Sequence, residues 1–187
     1  MPPRGPDPYA PPPFWNKSLT ISEQFTLGLR SALVASYYAA PLLIAADGVL
    51  VVNVSYYGAV SYHLDPAYGA TKAGLDSLRF DMAEDFKLYN VAVVSIWPGP
   101  TATERSESII AKISGGDKIL ESQETPKFSG LGIASLYSDQ KLMSKSGGVV
   151  IAAEAALEYG FKDFNGKQPP SIENRRGSSH PFFTNKS

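Results

Sequence analysis

Apolar residues fall into two rhythms along this chain, and the change between them marks its elements. From Thr20 to about Ala46 they recur at helical spacing: Phe25, Leu29, Leu33, Tyr37, Ala40 and Ile44 share one face, which predicts a helix with a buried stripe. Thr20-Ile21-Ser22-Glu23 in front of it has the form of a capping box. After Gly48 the helical spacing stops, and Val49-Leu50-Val51-Val52-Asn53-Val54 reads as a buried strand. Asp65-Pro66 is a cap followed by a first-turn proline. It opens a second helix, to about Tyr89, with Leu75, Leu78, Met82 and Phe86 as its apolar stripe. Val91 to Trp97 is again strand-like, and Gly147-Gly148-Val149-Val150-Ile151 suggests a third strand before alanine-rich sequence to about Tyr159. Between them, residues 104–146 read as short helices and loops.

Strand, helix and strand in that order form a βαβ unit, so the expected fold is α/β, with about three parallel strands and flanking helices. Ligands of such sheets bind at the carboxyl ends of the strands. Ser55 and Pro98-Gly99 lie at two such ends, and Tyr68 starts the helix between them. Three polar elements therefore converge on one edge. Outside the unit, residues 1–13 are dominated by proline and are expected to form an irregular arm. Residues 14–165 are expected to hold the domain, and residues 166–187 to be a flexible polar tail.

Composition narrows the chemistry. The chain has 187 residues, 43% hydrophobic and 19% charged, with a net charge of -1, so nothing suggests a surface for nucleic acid or anionic membrane. Its unbroken apolar runs are short for a membrane span, no signal pattern opens the chain, and the expected compartment is the cytoplasm. Without cysteine, disulfides and thiolate chemistry are excluded. His63 and His180, the two histidines, make a poor metal-ligand set, and no metal is expected.

The strongest chemical signal is Tyr68-Gly69-Ala70-Thr71-Lys72. Side chains at i and i+4 stack on one helix face, and an ammonium beside a phenol favours the phenolate and lowers the tyrosine pKa. A general acid for carbonyl reduction, or a base for alcohol oxidation, has that need. Tyr137 and Lys141 share the interval but have no comparable strand and polar loop upstream.

With these motifs in order (Asn53-Val54-Ser55, Tyr68-x-x-x-Lys72, and a strand running into Pro98-Gly99-Pro100-Thr101-Ala102-Thr103) the chain resembles the short-chain dehydrogenase/reductases. Phe14-Trp15, Gly28-Leu29-Arg30, Trp97-Pro98-Gly99, Thr103-Glu104 and Glu158-Tyr159-Gly160-Phe161 resemble one branch of that family. The resemblance covers roughly residues 14 to 165 and implies the C-terminal part of a doubly wound, Rossmann-like fold. It implies hydride transfer between NAD or NADP and a carbonyl or alcohol substrate. Tyr68 would be the acid/base, and Lys72 its partner and the holder of the nicotinamide ribose. Ser55 would polarise the carbonyl. Pro98, Gly99, Thr101 and Thr103 would lie near the carboxamide. A homo-oligomer is also implied, through the two long helices.

Several features depart from the family pattern. Its functional serine is usually the second of a Ser-Ser pair, where this chain has Tyr56, so the Tyr56 hydroxyl is a second candidate beside Ser55. Gly28 stands where the family has a catalytic asparagine; its structural explanation is close packing. Tyr57, Tyr62, His63 and Trp97 are candidates for an apolar substrate pocket or for plain packing. No Gly-x-x-x-Gly-x-Gly follows a strand, so the pyrophosphate grip and roughly 90 residues, about three βα units, are expected to be missing. The edge of the Val49–Val54 strand would then be bare and prone to association. The alternative function is a non-catalytic remnant acting as an interaction or dimerisation module.

Overall fold

Thr20 and Glu23 begin the described chain with a complete capping box. The Thr20 hydroxyl accepts from the Glu23 amide at 3.2 Å, and the Glu23 carboxylate accepts from the Thr20 amide at 2.7 Å. The computed structural model describes residues 20–46, 48–62, 65–111 and 116–172. The expected proline-rich arm, His63 and residues 173–187 lie outside them.

Helix α1 runs Ile21–Ala46 and widens into a π-helical turn at Thr26–Arg30. Strand β1, Val49–Val54, follows, then α2, Pro66–Phe86, and β2, Val91–Trp97. Short helices α3 (Glu104–Ile110), α4 (Gly116–Glu121), α5 (Pro126–Tyr137) and α6 (Leu142–Lys145) lead to β3, Val149–Ile151, and α7, Ala152–Tyr159. The three strands are parallel in the order β1-β2-β3. The sheet is therefore the expected α/β architecture, with β1 at an edge among the described residues.

All seven residues of β2 are buried, as a central parallel strand covered on both faces requires. Val91 and Val93 pack with Met82, Ala83 and Phe86 of α2. Ile96 and Trp97 pack with Phe128 of α5 and the alanines of α7. The β1–β2 register pairs Asn53 with Ser95 and Val54 with Ile96, so both strands end level.

One expectation is corrected. Phe25, Leu33, Tyr37 and Ile44, assigned to the buried face of α1, are exposed, Tyr37 at 74%. Leu29 and Ala40 of the expected stripe do pack, and Gly28 and Leu43 complete the packed face. A Cβ at Gly28 would clash with the Thr71 methyl carbon, and one at Gly74 would lie 2.8 Å from Leu29. Each glycine thus opens a slot for a side chain of the other helix, and small residues decide which face packs. Read as a helix, α1 also reaches the length and apolarity of a membrane crossing. Unbroken runs miss this because Gly28, Arg30, Ser31 and Ser36 interrupt them.

Beyond α7, Gly166, Lys167, Gln168 and Pro170 are exposed, while Ile172 is 2% exposed inside the α5–α7 cluster. The Gln168 side chain donates to the Ala153 carbonyl, and Ser171 pairs with Glu154. A polar stretch carried one apolar anchor that composition hid.

Gly28→Ala is expected to destabilise the fold by about 1–3 kcal/mol through overpacking, although alanine outranks glycine in a helix by about 1 kcal/mol. Adding Thr71→Ala should recover most of the loss. Gly130→Ala on α5, where a Cβ meets nothing within 4 Å, should stabilise. Urea unfolding measures all three, and a stabilising Gly28→Ala contradicts the tight crossing.

Candidate active site

Asp65 fixes the start of α2 by accepting the Tyr68 amide at 2.8 Å, with Pro66 preset in the first turn. Tyr68 and Lys72 then fall one turn apart, above the level ends of β1 and β2. The Lys72 ammonium donates to the Val54 carbonyl at 3.0 Å and lies 5.7 Å from the centre of the Tyr68 ring. The Tyr56 ring meets Tyr68 edge-on at 6.4 Å. Tyr137, by contrast, is the last residue of α5 and is exposed, so Lys141 does not continue its helix face.

The electrostatics correct the expectation for Tyr68. Its pKa is pushed up to about 12, first by burial and then by Tyr56, instead of down. Desolvation disfavours the charged phenolate. Burial also lowers the Lys72 pKa, against the pull of Asp76. A protonated Tyr68 remains a competent proton donor; what the expected partnership lacks in this geometry is a lowered phenol pKa.

Ser55 is 2% exposed. Its amide donates to Ile96 and its hydroxyl to the Lys72 carbonyl at 3.1 Å. The serine thus ties the strand end to the helix, and Tyr56 is the neighbour placed against Tyr68. Among the other pocket candidates, Tyr57 packs edge-on against Trp97 at 6.1 Å, while Tyr62 is exposed. Pro98, Gly99 and Thr101 form the turn after β2. The Thr101 hydroxyl donates to the Gly99 carbonyl. Thr103 starts α3, its hydroxyl accepting the Ser106 amide at 3.1 Å. It is exposed, and its side chain acts as a helix cap.

Two carboxyl groups at this edge escaped sequence reasoning. Asp76, one turn beyond Lys72, accepts from the Trp97 indole at 3.1 Å. Burial raises its pKa, against the nearby Ser95 and Ser55 hydroxyls, the charge of Arg79 and the Trp97 bond. Glu124, 1% exposed, accepts from the Gly99 amide at 2.9 Å and the Ser129 hydroxyl at 3.2 Å. Asp76 had a readable signal, an acid four residues after Lys72 beside the apolar stripe. Glu124 had none, because it is 25 residues from Gly99 in sequence.

The family described as short chain dehydrogenase matches residues 15–114. Dehydrogenase/reductase SDR family member 1 of Mus musculus is 31% identical over 163 residues, covering 82% of this chain and 52% of that protein. The Homo sapiens protein of the same name is 30% identical over the same shares. The chain thus spans about half the length of the curated relatives it matches. Among solved structures, a 4-hydroxyisoleucine dehydrogenase mutant complexed with NADH and succinate is 21% identical with a TM-score of 0.61, covering 70% of this chain and 56% of that one. Acetoin dehydrogenase from Enterobacter cloacae is 21% identical with a TM-score of 0.56, covering 70% and 53%. These structures share the Rossmann fold to which the three-stranded sheet corresponds. With more than half of its residues matching the family and curated relatives at 31% identity, this chain belongs to the short-chain dehydrogenases/reductases.

Proposed function

We propose that this chain carries the proton-transfer side of an NAD(P)-dependent oxidoreductase acting on a carbonyl or alcohol. The observation that supports it most is the placement of Tyr68 and Lys72 on one helix face above two level strand ends. The donor set fits a nicotinamide ribose: the Lys72 ammonium is held 3.0 Å from a strand-end carbonyl and can turn from it toward a diol. Lys72 would hold the ribose, Pro98, Gly99 and Thr101 would border the carboxamide, and Thr103 would close that side. The bound nicotinamide would supply or accept the hydride. Tyr68 would give its phenolic proton to the carbonyl oxygen as an alcohol forms, and take it back in the reverse direction. Tyr56, against the Tyr68 ring, would orient that oxygen; Ser55 would do so only after releasing the Lys72 carbonyl.

The raised Tyr68 pKa favours the acid role. A phenol held protonated to about 12 suits reduction across neutral pH, while oxidation would need a bound cofactor charge to bring the pKa down. The solved structure complexed with NADH and succinate supports a nicotinamide dinucleotide as the cofactor. The glycine-rich pyrophosphate grip does not occur in the sequence, so dinucleotide binding and turnover by this chain are proposed to be impaired.

Tyr68→Phe is expected to lower carbonyl turnover by about two or more powers of ten through loss of the phenolic proton; near-normal rates would remove Tyr68 from the role. Calorimetric titration of this chain with NADH and NADPH is expected to show binding several powers of ten weaker than micromolar. Each missing charge-assisted bond to the pyrophosphate accounts for roughly 1.5–3 kcal/mol. Micromolar affinity would refute the impairment.

A second function, as a non-catalytic module that associates with copies of itself, is favoured by one observation. Leu27, Tyr37, Tyr38 and Leu42 leave an apolar stripe of α1 exposed, beside the edge strand β1. Light scattering at micromolar concentration is expected to show a dimer or larger species. A strictly monomeric protein contradicts it.

A further inference from the structure

The turn that follows β2 is gripped at both ends by buried carboxyl groups that the proposed chemistry does not use. At its start, the Trp97 indole N–H donates to Asp76. At its centre, the Gly99 amide donates to Glu124 at 2.9 Å. The backbone of Glu124 joins in: its amide donates to the Pro100 carbonyl at 2.9 Å, and its carbonyl accepts from the Ala102 amide at 2.8 Å. Thr101 and Glu124 form an isolated parallel bridge. A Cβ on Gly99 would come within 3.0 Å of the Glu124 carboxylate oxygen, so the glycine is needed for the carboxyl to reach the amide.

We infer that Glu124 is a positioning residue for the Pro98–Thr101 turn, and that gain or loss of its proton changes the geometry of that turn. The significance for chemistry rests on the nicotinamide-side role proposed above; the clamp itself does not. A carboxylate and a carboxylic acid both accept from the Gly99 amide, but the charged form binds that donor more strongly and has a higher desolvation cost.

The surroundings make both forms accessible near neutrality. Burial is the largest influence and raises the Glu124 pKa to about 7; the Gly99 and Ser129 bonds oppose it and the charge of Asp163 adds to it. Asp163 is fixed in place, accepting the Thr125 amide at 2.8 Å and the Thr125 hydroxyl at 2.6 Å. Glu107 on α3 and Lys167 on the final loop are the other charged groups near it; with Glu124 they line a cavity of about 370 Å³. Asp76 holds the other end of the turn through Trp97, so movement is confined to Pro98–Thr101.

The sign follows from the raised pKa. Protonated Glu124 stabilises the native state fully below the unfolded carboxyl value, and that stability is lost as pH rises through about 7.

The test uses the full 187-residue chain labelled with ¹⁵N. The Gly99 amide resonance is expected to titrate with a midpoint near 7. Glu124→Gln keeps an acceptor but not the proton and should flatten the titration, and Asp163→Asn should shift the midpoint to lower pH. The melting temperature of the wild type should also fall relative to Glu124→Gln between pH 6 and pH 8.5. A Gly99 resonance that ignores pH, or the same titration in Glu124→Gln, overturns the proposal, as does a parallel melting profile of the two proteins. No cofactor enters the measurement, so its failure leaves the oxidoreductase proposal standing, and the reverse is also true.

Discussion

Parallel pairing of β1 with β2 is the constraint from which the rest of this site follows. Two parallel neighbours cannot be joined by a tight turn, so the chain must cross over through a helix, and α2 is that crossover. The helix starts where β1 ends, and its first two turns must lie above the carboxyl edge. Tyr68 and Lys72 occupy those turns. The level register, with Val54 opposite Ile96, then brings the Ser55 and Pro98–Gly99 segments to the same edge. Ser55 secures the arrangement by bonding β2 through its amide and α2 through its hydroxyl.

The polar groups that keep this edge together are buried carboxyls more than surface charges. Asp76 ties α2 to Trp97, and Glu124 ties the segment before α5 to Gly99. Buried acids are costly unless hydrogen bonds compensate them. Both have such bonds and both are nevertheless pushed toward the protonated form. Burial has the same effect on Tyr68, which stays a protonated phenol. Desolvation sets the protonation states along this edge, and the neighbouring charges only adjust them.

The sequence carried most of the frame in a legible form. Strands of β-branched residues, the Thr20 capping box and the Asp65-Pro66 cap are local signals, and the structure places each where the spacing does. The α1 face was misassigned because large apolar residues mark burial poorly where a neighbouring helix passes too close for them. Gly28 and Gly74 are packed, and Leu33 and Tyr37 are not. The bond from the Ser55 hydroxyl to a carbonyl 17 residues away is another contact that spacing does not reveal. Glu124 was invisible because its role depends on a contact with Gly99 that only the folded chain makes. Long-range polar pairing is the part of a site that periodicity does not encode.

The central claim is that the nicotinamide side of a cofactor belongs at the edge formed by α2 and the turn after β2. Nicotinamide mononucleotide carries that side alone, without the pyrophosphate-linked adenosine. Intermolecular nuclear Overhauser effects from its ring protons, measured at millimolar ligand, test the placement directly. The account predicts contacts to the Tyr68 ring and the Gly99 protons, and their loss in Lys72→Ala. Contacts to any other face of the molecule, or none at these two residues, would contradict it.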